Sequence, residues 1–351
     1  MAQFSIENVS VTGISAAVPK QIVSNHDYTL LSEKERRLLI KTTGVEEKRA
    51  APKGLTTSDL CFEAANQLID QLDWKKEEIG ILIFVSQSSD YLLPATSIIL
   101  QDRLGLPKSC MAFDIGLGCS GYVYGLSVMS AMMSASKIEK GLLLVGDVSS
   151  ATCAIEDKST YPLFGDAGTA TALTYKDKSP HFYFNLQNDG SGFDKIIIKD
   201  GGIRNLITEK SLVKREISEG IVRTDLNVCL SGMDIFNFSV TEVPKSIKAF
   251  CEYIDRDLNE FDYIMLHQAN KLMNETIRKK IKIPVEKVPY SIAKFGNTSS
   301  ASIPLTIITE LQNECRQSNI ELLLSGFGVG LSWGVCNLQL DHIVCPDLIE
   351  I

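Results

Sequence analysis

Residues 72–87 read LDWKKEEIGILIFVSQ, and residues 257–268 read DLNEFDYIMLHQ. Each stretch has an acidic lead-in, an apolar run typical of a buried strand and a polar pair that ends in Gln; the two Gln residues are 181 positions apart. A second pair, GLLLVG at 141–146 and ELLLSG at 321–326, follows in the same order at an offset of 180. Two nearly equal offsets predict a duplicated α/β half.

Apolar strands and helical patterns alternate along both halves. Strands are predicted at residues 81–85, 142–145, 263–266 and 322–324, and continuous apolar runs of this kind belong to sheets covered on both faces. Helices are predicted at residues 58–72 with Ser58 as the N-cap, 122–135, 238–254, 274–281 and 302–315. We expect layered α/β halves at 1–178 and 179–351, with a loop or hairpin at their join in the turn-rich stretch 181–202.

Composition and charge narrow the class of protein. Of 351 residues, 44% are apolar and 22% charged, as in soluble globular proteins, and no apolar run approaches the ~20 residues that span a bilayer. The net charge of −8 argues against nucleic acid as the main partner. Nine cysteines without C-x-x-C or zinc-type spacing, and an N-terminus unlike a signal peptide, predict a cytoplasmic protein with free thiols and no metal site.

Cys119 lies in the glycine-rich stretch DIGLGCSGY at residues 114–122, directly before the apolar helix predicted at 122–135. A helix that is apolar on all sides is typical of a large core. The free N–H groups and the dipole at its N-terminus favour a thiolate, which predicts a nucleophilic Cys119. The motif alone is equally compatible with a small buried side chain.

The duplication gives two residues of the second half a reason to meet Cys119. His267 follows a predicted strand, where functional groups of α/β sheets gather. Asn297 lies in the turn at 296–300, which we interpret as the counterpart of the Cys119 turn because 297 and 119 differ by 178. Each residue taken singly is also compatible with a structural role, as a hydrogen-bonding His or a helix N-cap.

The motifs together resemble the β-ketoacyl-acyl-carrier-protein synthase III family of the thiolase-like superfamily over nearly the whole chain. They are Thr43-Gly44-Val45 with Arg49, Gly118-Cys119-Ser120-Gly121, Phe164-Gly165-Asp166-Ala167-Gly168, Asp189-Gly190-Ser191, His267-Gln268-Ala269-Asn270, Gly296-Asn297-Thr298-Ser299 with Pro304, and Gly326-Phe327-Gly328-Val329-Gly330 followed by Ser332-Trp333-Gly334. The resemblance implies a thiolase-like, layered αβαβα fold, a homodimer, and an acyl-carrier protein as partner.

The resemblance also implies a reaction and a set of roles. Cys119 takes an acyl group from a thioester, and the backbone N–H groups of Cys119 and Val329 form the oxyanion hole. His267 and Asn297 donate hydrogen bonds to the enolate that forms when malonyl-acyl-carrier protein loses carbon dioxide. Attack on the acyl group then gives a β-ketoacyl thioester, the initiation step of fatty acid or related biosynthesis, without a metal or prosthetic group.

Several positions depart from the family pattern. Leu38, Thr42 and Lys158 stand where members that use acetyl-CoA carry Trp and Arg around the adenine, so an acyl-carrier protein instead of CoA becomes a candidate acyl donor. Leu93 replaces an aromatic residue at the mouth of the acyl pocket, which suggests a primer other than acetyl.

Carrier-protein docking in this family uses a basic patch. Here Leu272 takes the place of an Arg beside Lys271, and Arg278 follows on the same predicted helix. The same basic residues are also compatible with an ordinary solvated face.

Three other functions remain open on the sequence. A relative with this fold could move the acyl group to an oxygen or nitrogen acceptor without forming a carbon–carbon bond. A papain-like cysteine hydrolase also orders Cys, His and Asn, although Ser120 stands where that family has Trp. A binding subunit without activity is the fourth reading, and the intact Cys119, His267 and Asn297 argue against it.

Overall fold

The computed structural model describes residues 2–351, which form two large mixed sheets, three two-stranded sheets and nine α-helices. The strands are β1 (Ala2–Ile6), β2 (Val9–Val18), β3 (Ile22–Ser24), β4 (Glu47–Arg49), β5 (Ile79–Val85), β6 (Met111–Ile115), β7 (Lys140–Val148), β8 (Asp166–Tyr175), β9 (Phe182–Asn188), β10 (Ile196–Ile197), β11 (Arg215–Ser218), β12 (Ile221–Arg223), β13 (Cys229–Leu230), β14 (Tyr263–Leu266), β15 (Asn319–Gly328), β16 (Ser332–Asp341) and β17 (Ile349–Glu350). The α-helices are α1 (Glu33–Thr43), α2 (Thr57–Gln71), α3 (Thr96–Arg103), α4 (Gly121–Ser136), α5 (Gly232–Ile254), α6 (Lys271–Lys280), α7 (Ile292–Phe295), α8 (Ser302–Glu310) and α9 (Gln312–Gln317).

The two large sheets repeat one strand order. The first sheet runs β17-β2-β8-β7-β5-β6, and the second runs β1-β9-β16-β15-β14. In each, two neighbouring parallel strands (β5 and β7, β14 and β15) are followed by antiparallel neighbours. All four predicted strands lie within β5, β7, β14 and β15, so the duplication is confirmed. In the part of the chain that the structure describes, β6 has no counterpart in the second sheet.

The predicted αβαβα layering is confirmed. Helices α4 and α8 lie between the sheets and contact strands of both. Helices α2 and α3 cover the outer face of the first sheet, and α5, with α6 beside it, covers the second. Helix α4 takes the central place because it is apolar on every side, and Tyr122, Val123, Leu126, Met129 and Met133 are all buried.

Helix bounds differ from the prediction in four places, one of which is α6, which begins at Lys271, three residues before the predicted start. The N-cap of α2 is Thr56, not Ser58, because Thr56 and Asp59 form a capping box while the Ser58 hydroxyl donates to Asp90. Helix α5 begins at Gly232, six residues before the predicted start. The helix predicted at 302–315 is two helices, which meet at Leu311 and keep both Leu311 and Cys315 buried in the core.

The join between the halves also differs. Residues 182–188, predicted within a loop or hairpin, form β9, a strand inside the second sheet between β1 and β16; the turn signals begin only at Asp189. The division into 1–178 and 179–351 stays a prediction. Two short strands cross it, because β1 joins the second sheet and β17 joins the first. Among residues 2–351 no helix combines the length and the apolar character that a membrane span requires.

Candidate active site

Cys119, His267 and Asn297 line one cavity of about 390 Å³, together with Gly328 and Val329. The cavity lies at the carboxyl ends of β5, β7, β14 and β15, the edge where α/β sheets place functional groups. The structure therefore brings together the three residues that the sequence predicted as a constellation.

Cys119 precedes α4 by two residues and is buried, with a free thiol. Among the described residues 2–351 no side chain caps the N-terminus of α4, and the Ser120 hydroxyl pairs with the Ser332 hydroxyl at 2.6 Å. Burial raises the pKa of the Cys119 thiol above its ordinary value, and interactions with the Val329 N–H and the Ser299 hydroxyl offset part of that rise. The expectation that the helix N-terminus lowers the pKa of Cys119 toward neutrality is therefore wrong, because burial outweighs the favourable backbone.

The end of β15 approaches Cys119 closely enough to require glycine. Gly328 has φ +156°, and a Cβ at this position would lie 2.6 Å from Cys119 Cβ and 2.7 Å from Sγ. The next residue, Val329, directs its backbone N–H at the sulfur. The structure therefore brings the Val329 N–H, which the sequence predicted as part of an oxyanion hole, beside the Cys119 sulfur.

His267 directly follows β14, and its ring is fully enclosed. Nδ1 lies 2.7 Å from Ser302 Oγ, which also accepts the Gln268 N–H at 3.3 Å. The ring packs edge-on against Phe327, with centroids 5.5 Å apart. Burial lowers the pKa of His267 to about 3, so the imidazole is neutral at physiological pH and suited to donating a hydrogen bond.

Asn297 is fixed by its backbone and by its own amide oxygen. Its N–H donates to the Leu163 carbonyl at 2.8 Å, and Oδ1 accepts the Ser299 N–H at 2.9 Å. Within residues 2–351 the Nδ2 group has no hydrogen-bond partner, and the side chain lines the cavity. With its oxygen committed, Asn297 presents a donor to the cavity.

Ser299 joins the three residues and was missed as a functional residue by sequence reasoning. Its hydroxyl interacts with the Cys119 thiol, its backbone with the His267 ring, and its N–H with Asn297 Oδ1. It adopts a left-handed backbone with φ +51°, which is strained for a serine. The signal present in the sequence was its place two residues after Asn297.

Asp147 is a second residue that the sequence did not single out. Its Oδ1 accepts the Gln87 N–H at 2.7 Å and the Ser86 hydroxyl at 3.1 Å, and its Oδ2 accepts the Ser300 hydroxyl at 2.6 Å. Burial raises the pKa of Asp147, whereas hydrogen bonds from Ser300, the Gln87 N–H and the Ser299 hydroxyl favour its carboxylate form. Asp147 thereby ties the first sheet to the turn before α8.

The helix starts also correct the predicted equivalence of Asn297 and Cys119. Helix α4 begins at 121 and α8 at 302, an offset of 181, so the residue equivalent to Cys119 is Ser300. Asn297 lies three residues before Ser300 in the same predicted turn, pairs with Phe164 in an isolated β-bridge and lines the cavity.

The remaining predicted residues lie outside the cavity lining. Leu38 is 64% exposed on α1, and Thr42 lies in the last turn of that helix. The Lys158 side chain packs against Gly220 of the β11–β12 hairpin. Leu93 is 82% exposed, in the loop before α3.

The three residues predicted for carrier binding lie on α6. Lys271 packs on Gly44, and Leu272 is 49% exposed. The Arg278 guanidinium is engaged by Glu275 at 2.7 Å and by the Ile283 carbonyl at 2.6 Å, so its donors are directed inward.

Known proteins share both the sequence pattern and the fold. Models of 3-oxoacyl-[acyl-carrier-protein (ACP)] synthase III and of its C-terminal part match residues 113–190 and 251–340. The β-ketoacyl-[acyl-carrier-protein] synthase III of Ehrlichia canis is 30% identical over 332 residues, covering 94% of this chain and 98% of that protein. That of Streptococcus mutans is 32% identical over 320 residues, covering 90% and 94%.

A solved structure agrees with these relatives. The 3-oxoacyl-(acyl-carrier protein) synthase of Burkholderia xenovorans superimposes with a TM-score of 0.93 at 34% identity, covering 99% of each chain. The chain belongs to the β-ketoacyl-acyl-carrier-protein synthase III family of condensing enzymes.

Proposed function

We propose that this chain loads an acyl group on Cys119 and condenses it with malonyl-acyl-carrier protein to give a β-ketoacyl thioester, an initiating step of fatty acid or related biosynthesis. The observation that carries the proposal is the meeting of Cys119, His267 and Asn297 at Ser299, within one cavity. Relatives named β-ketoacyl-[acyl-carrier-protein] synthase III support it.

In the first half-reaction the Cys119 sulfur attacks the thioester carbonyl. The N–H groups of Cys119 and Val329 stabilise the oxyanion, the acyl–sulfur bond to the donor breaks, and the thiol proton leaves with the donor thiol. Because burial raises the pKa of Cys119, the thiolate is a minor form at neutral pH. Acylation therefore depends on the backbone donors that face the sulfur.

In the second half-reaction a malonyl thioester replaces the donor in the cavity. Loss of carbon dioxide leaves an enolate, whose oxygen receives hydrogen bonds from the neutral His267 and from Asn297 Nδ2. The enolate carbon attacks the acyl carbonyl, and the Cys119 thiolate departs and regains a proton. Every step in this route uses side chains and backbone of the chain itself, so we propose no prosthetic group.

An acyl-carrier protein is the proposed partner for both half-reactions. Exposed Leu38, together with Thr42 and with Lys158 packed under a hairpin, offers no planar stack for an adenine, which favours delivery by a carrier instead of CoA. Its docking surface would include Lys271 and Leu272 on α6, whereas Arg278 is already engaged by Glu275. Free cysteines throughout residues 2–351 support a reducing compartment such as the cytoplasm.

A homodimer is part of the proposal. Strand β6 forms an unpaired edge of the first sheet, and Met111 on it is 41% exposed. The neighbouring loop carries Tyr91, Leu92 and Leu93, which are 64%, 90% and 82% exposed. An apolar loop beside an open edge fits a second copy of the chain, with Leu93 reaching the acyl pocket of that copy.

The test is intact-mass analysis after incubation with acyl-CoA and acyl-carrier thioesters, followed by measurement of carbon dioxide released from malonyl-carrier protein. We expect mass addition on Cys119, none in Cys119→Ala, and normal addition in the matched control Cys251→Ala, whose thiol lies on α5 away from the cavity. Acyl label on another residue contradicts the mechanism. Acylation without malonyl-dependent release of carbon dioxide indicates transfer to an oxygen or nitrogen acceptor instead.

A further inference from the structure

Two polar side chains of the cavity lining take no part in the proposed reaction. Gln87 follows β5 and Ser149 follows β7, and these strands are parallel neighbours in the first sheet. Both side chains line the same cavity as Cys119, so one acyl group held there can meet both of them. The Gln87 backbone is fixed by its N–H bond to Asp147, at 2.7 Å.

The Gln87 carboxamide lies beside the nucleophile. A Cβ placed on Gly118 would overlap Gln87 Oε1 and lie 3.2 Å from its Cδ, so the amide covers the residue that precedes Cys119. Because Gly118 and Cys119 are consecutive, with Cα atoms about 3.8 Å apart, we expect the carboxamide to lie near the first few carbons of an acyl group on Cys119.

Neither group has a hydrogen-bond partner in the part of the chain that the structure describes, which includes Oε1 and Nε2 of Gln87 and the hydroxyl of Ser149. Each can both donate and accept. The equivalent of Gln87 in the second half, Gln268, instead donates from Nε2 to the Leu266 carbonyl at 2.8 Å. Gln87 is exposed at the cavity wall, so water can pair with its amide in the free protein; an alkyl chain that filled the cavity would displace that water without replacing its hydrogen bonds, which is unfavourable.

We propose that Gln87, assisted by Ser149, selects acyl groups that carry a hydroxyl or oxo group close to the thioester carbonyl. The substituent pairs with the carboxamide when the acyl group displaces solvent from the cavity, whereas an unsubstituted alkanoyl group leaves the amide unpaired. This inference rests on the proposed function, because it concerns the group that Cys119 accepts.

The experiment compares two pantetheine thioesters of equal chain length, butanoyl and 3-hydroxybutanoyl, the latter as separate enantiomers. The rate of mass addition to Cys119 is measured for the wild type, for Gln87→Met, which keeps side-chain length without hydrogen bonds, and for Ser149→Ala. We expect the wild type to load one 3-hydroxybutanoyl enantiomer about 10–100-fold faster than butanoyl. In Gln87→Met the ratio should fall to within about threefold of unity, and in Ser149→Ala it should fall partway.

The control is Gln317→Met, an exposed glutamine on α9 outside the cavity lining, which should keep the wild-type ratio. Equal loading of both thioesters by the wild type overturns the inference, as does an unchanged ratio in Gln87→Met. Either result leaves the proposed function intact, because Cys119 is still acylated. Absence of acylation from every thioester overturns the proposed function and this inference together.

Discussion

Two positions repeated by the duplication carry different chemistry in the two halves. Cys119 and Ser300 precede α4 and α8 and are 181 positions apart; Ser86 and His267 follow β5 and β14 at the same offset. Ser86 and Ser300 both donate to Asp147, whereas Cys119 and His267 both contact Ser299. Ser86 with Ser300, and Cys119 with His267, therefore each connect a strand end of one half to a helix start of the other.

The comparison extends to the strands between them. Asp147 in β7 and Phe327 in β15 are 180 positions apart. Asp147 accepts hydrogen bonds from Ser86 and Ser300, whereas Phe327 packs on the His267 ring and offers it no hydrogen bond. Replacing the carboxylate by an aromatic ring leaves Cys119 and His267 free to meet a substrate. The contacts of Ser86 and Ser300 at Asp147 hold the halves together, whereas Cys119 and His267 carry the chemistry.

The largest difference between equivalent positions is expected for the residues that follow β5 and β14. His267→Ala removes one donor to the enolate and should slow carbon dioxide release about 10²–10³-fold, or ~2.7–4 kcal/mol of barrier, while acylation of Cys119 continues. Ser86→Ala, at the equivalent place, should change that rate by less than roughly threefold. Radiolabelled malonyl-carrier protein measures the release. A similar loss in both variants would show that the two strand ends do not differ in function.

The approach of β15 to Cys119 gives the second prediction. Gly328→Ala forces the Val329 N–H away from the sulfur and should slow acylation about 10²-fold, the cost typical of a lost oxyanion donor. Gly54→Ala is the matched control, because Gly54 also has positive φ, at +96°, yet a Cβ there meets nothing within 4 Å. Stopped-flow or quenched mass analysis reports the rates. Equal rates in both variants would contradict the oxyanion assignment.

Loss of the contacts between Asp147 and the serines Ser86 and Ser300 should lower the stability of the fold. In Asp147→Asn one oxygen becomes a donor that faces the donors Ser86 or Ser300, and the free energy of unfolding should fall by about 1–3 kcal/mol. Asp102→Asn, an exposed residue on α3, should leave it within roughly 0.5 kcal/mol. Denaturant unfolding of both variants measures the difference. Wild-type stability in Asp147→Asn would remove the anchoring role.

The last prediction concerns pH. Because burial raises the pKa of Cys119, the thiolate fraction and the acylation rate should rise about tenfold per pH unit from pH 6 to 8. Burial lowers the pKa of His267 to about 3, so His267 stays neutral above that value and carbon dioxide release should be flat between pH 5 and 8. A fall in release near pH 6.5 would mean that His267 titrates normally.

Sequence reasoning succeeded where periodicity and motif spacing carry the information. The apolar runs in β5, β7, β14 and β15 predicted the duplicated sheets, and the motifs brought Cys119, His267 and Asn297 together. It failed for β9, because the turn signals from Asp189 onward outweighed a short strand next to them. The pKa of Cys119 was misjudged because burial depends on how both halves pack around it, which no local pattern reports.

Ser299 and Asp147 were missed for the same reason. Each has one partner in the other half of the chain: Ser299 interacts with Cys119, and Asp147 accepts a bond from Ser300 across 153 positions. A serine and an aspartate in isolation carry no spacing that would separate such roles from ordinary surface or turn positions.

Because β1 joins the second sheet and β17 joins the first, neither half can complete its sheet without a strand from the other. On the ribosome, β2 leaves its outer edge unpaired until residues 349–350 are available, and the Arg49–Glu350 ion pair at 2.7 Å forms equally late. Separately expressed fragments 1–178 and 179–351 would each have an unpaired sheet edge and a strand whose partner lies in the other fragment. Complementation of the two fragments in one cell should restore what neither can fold alone.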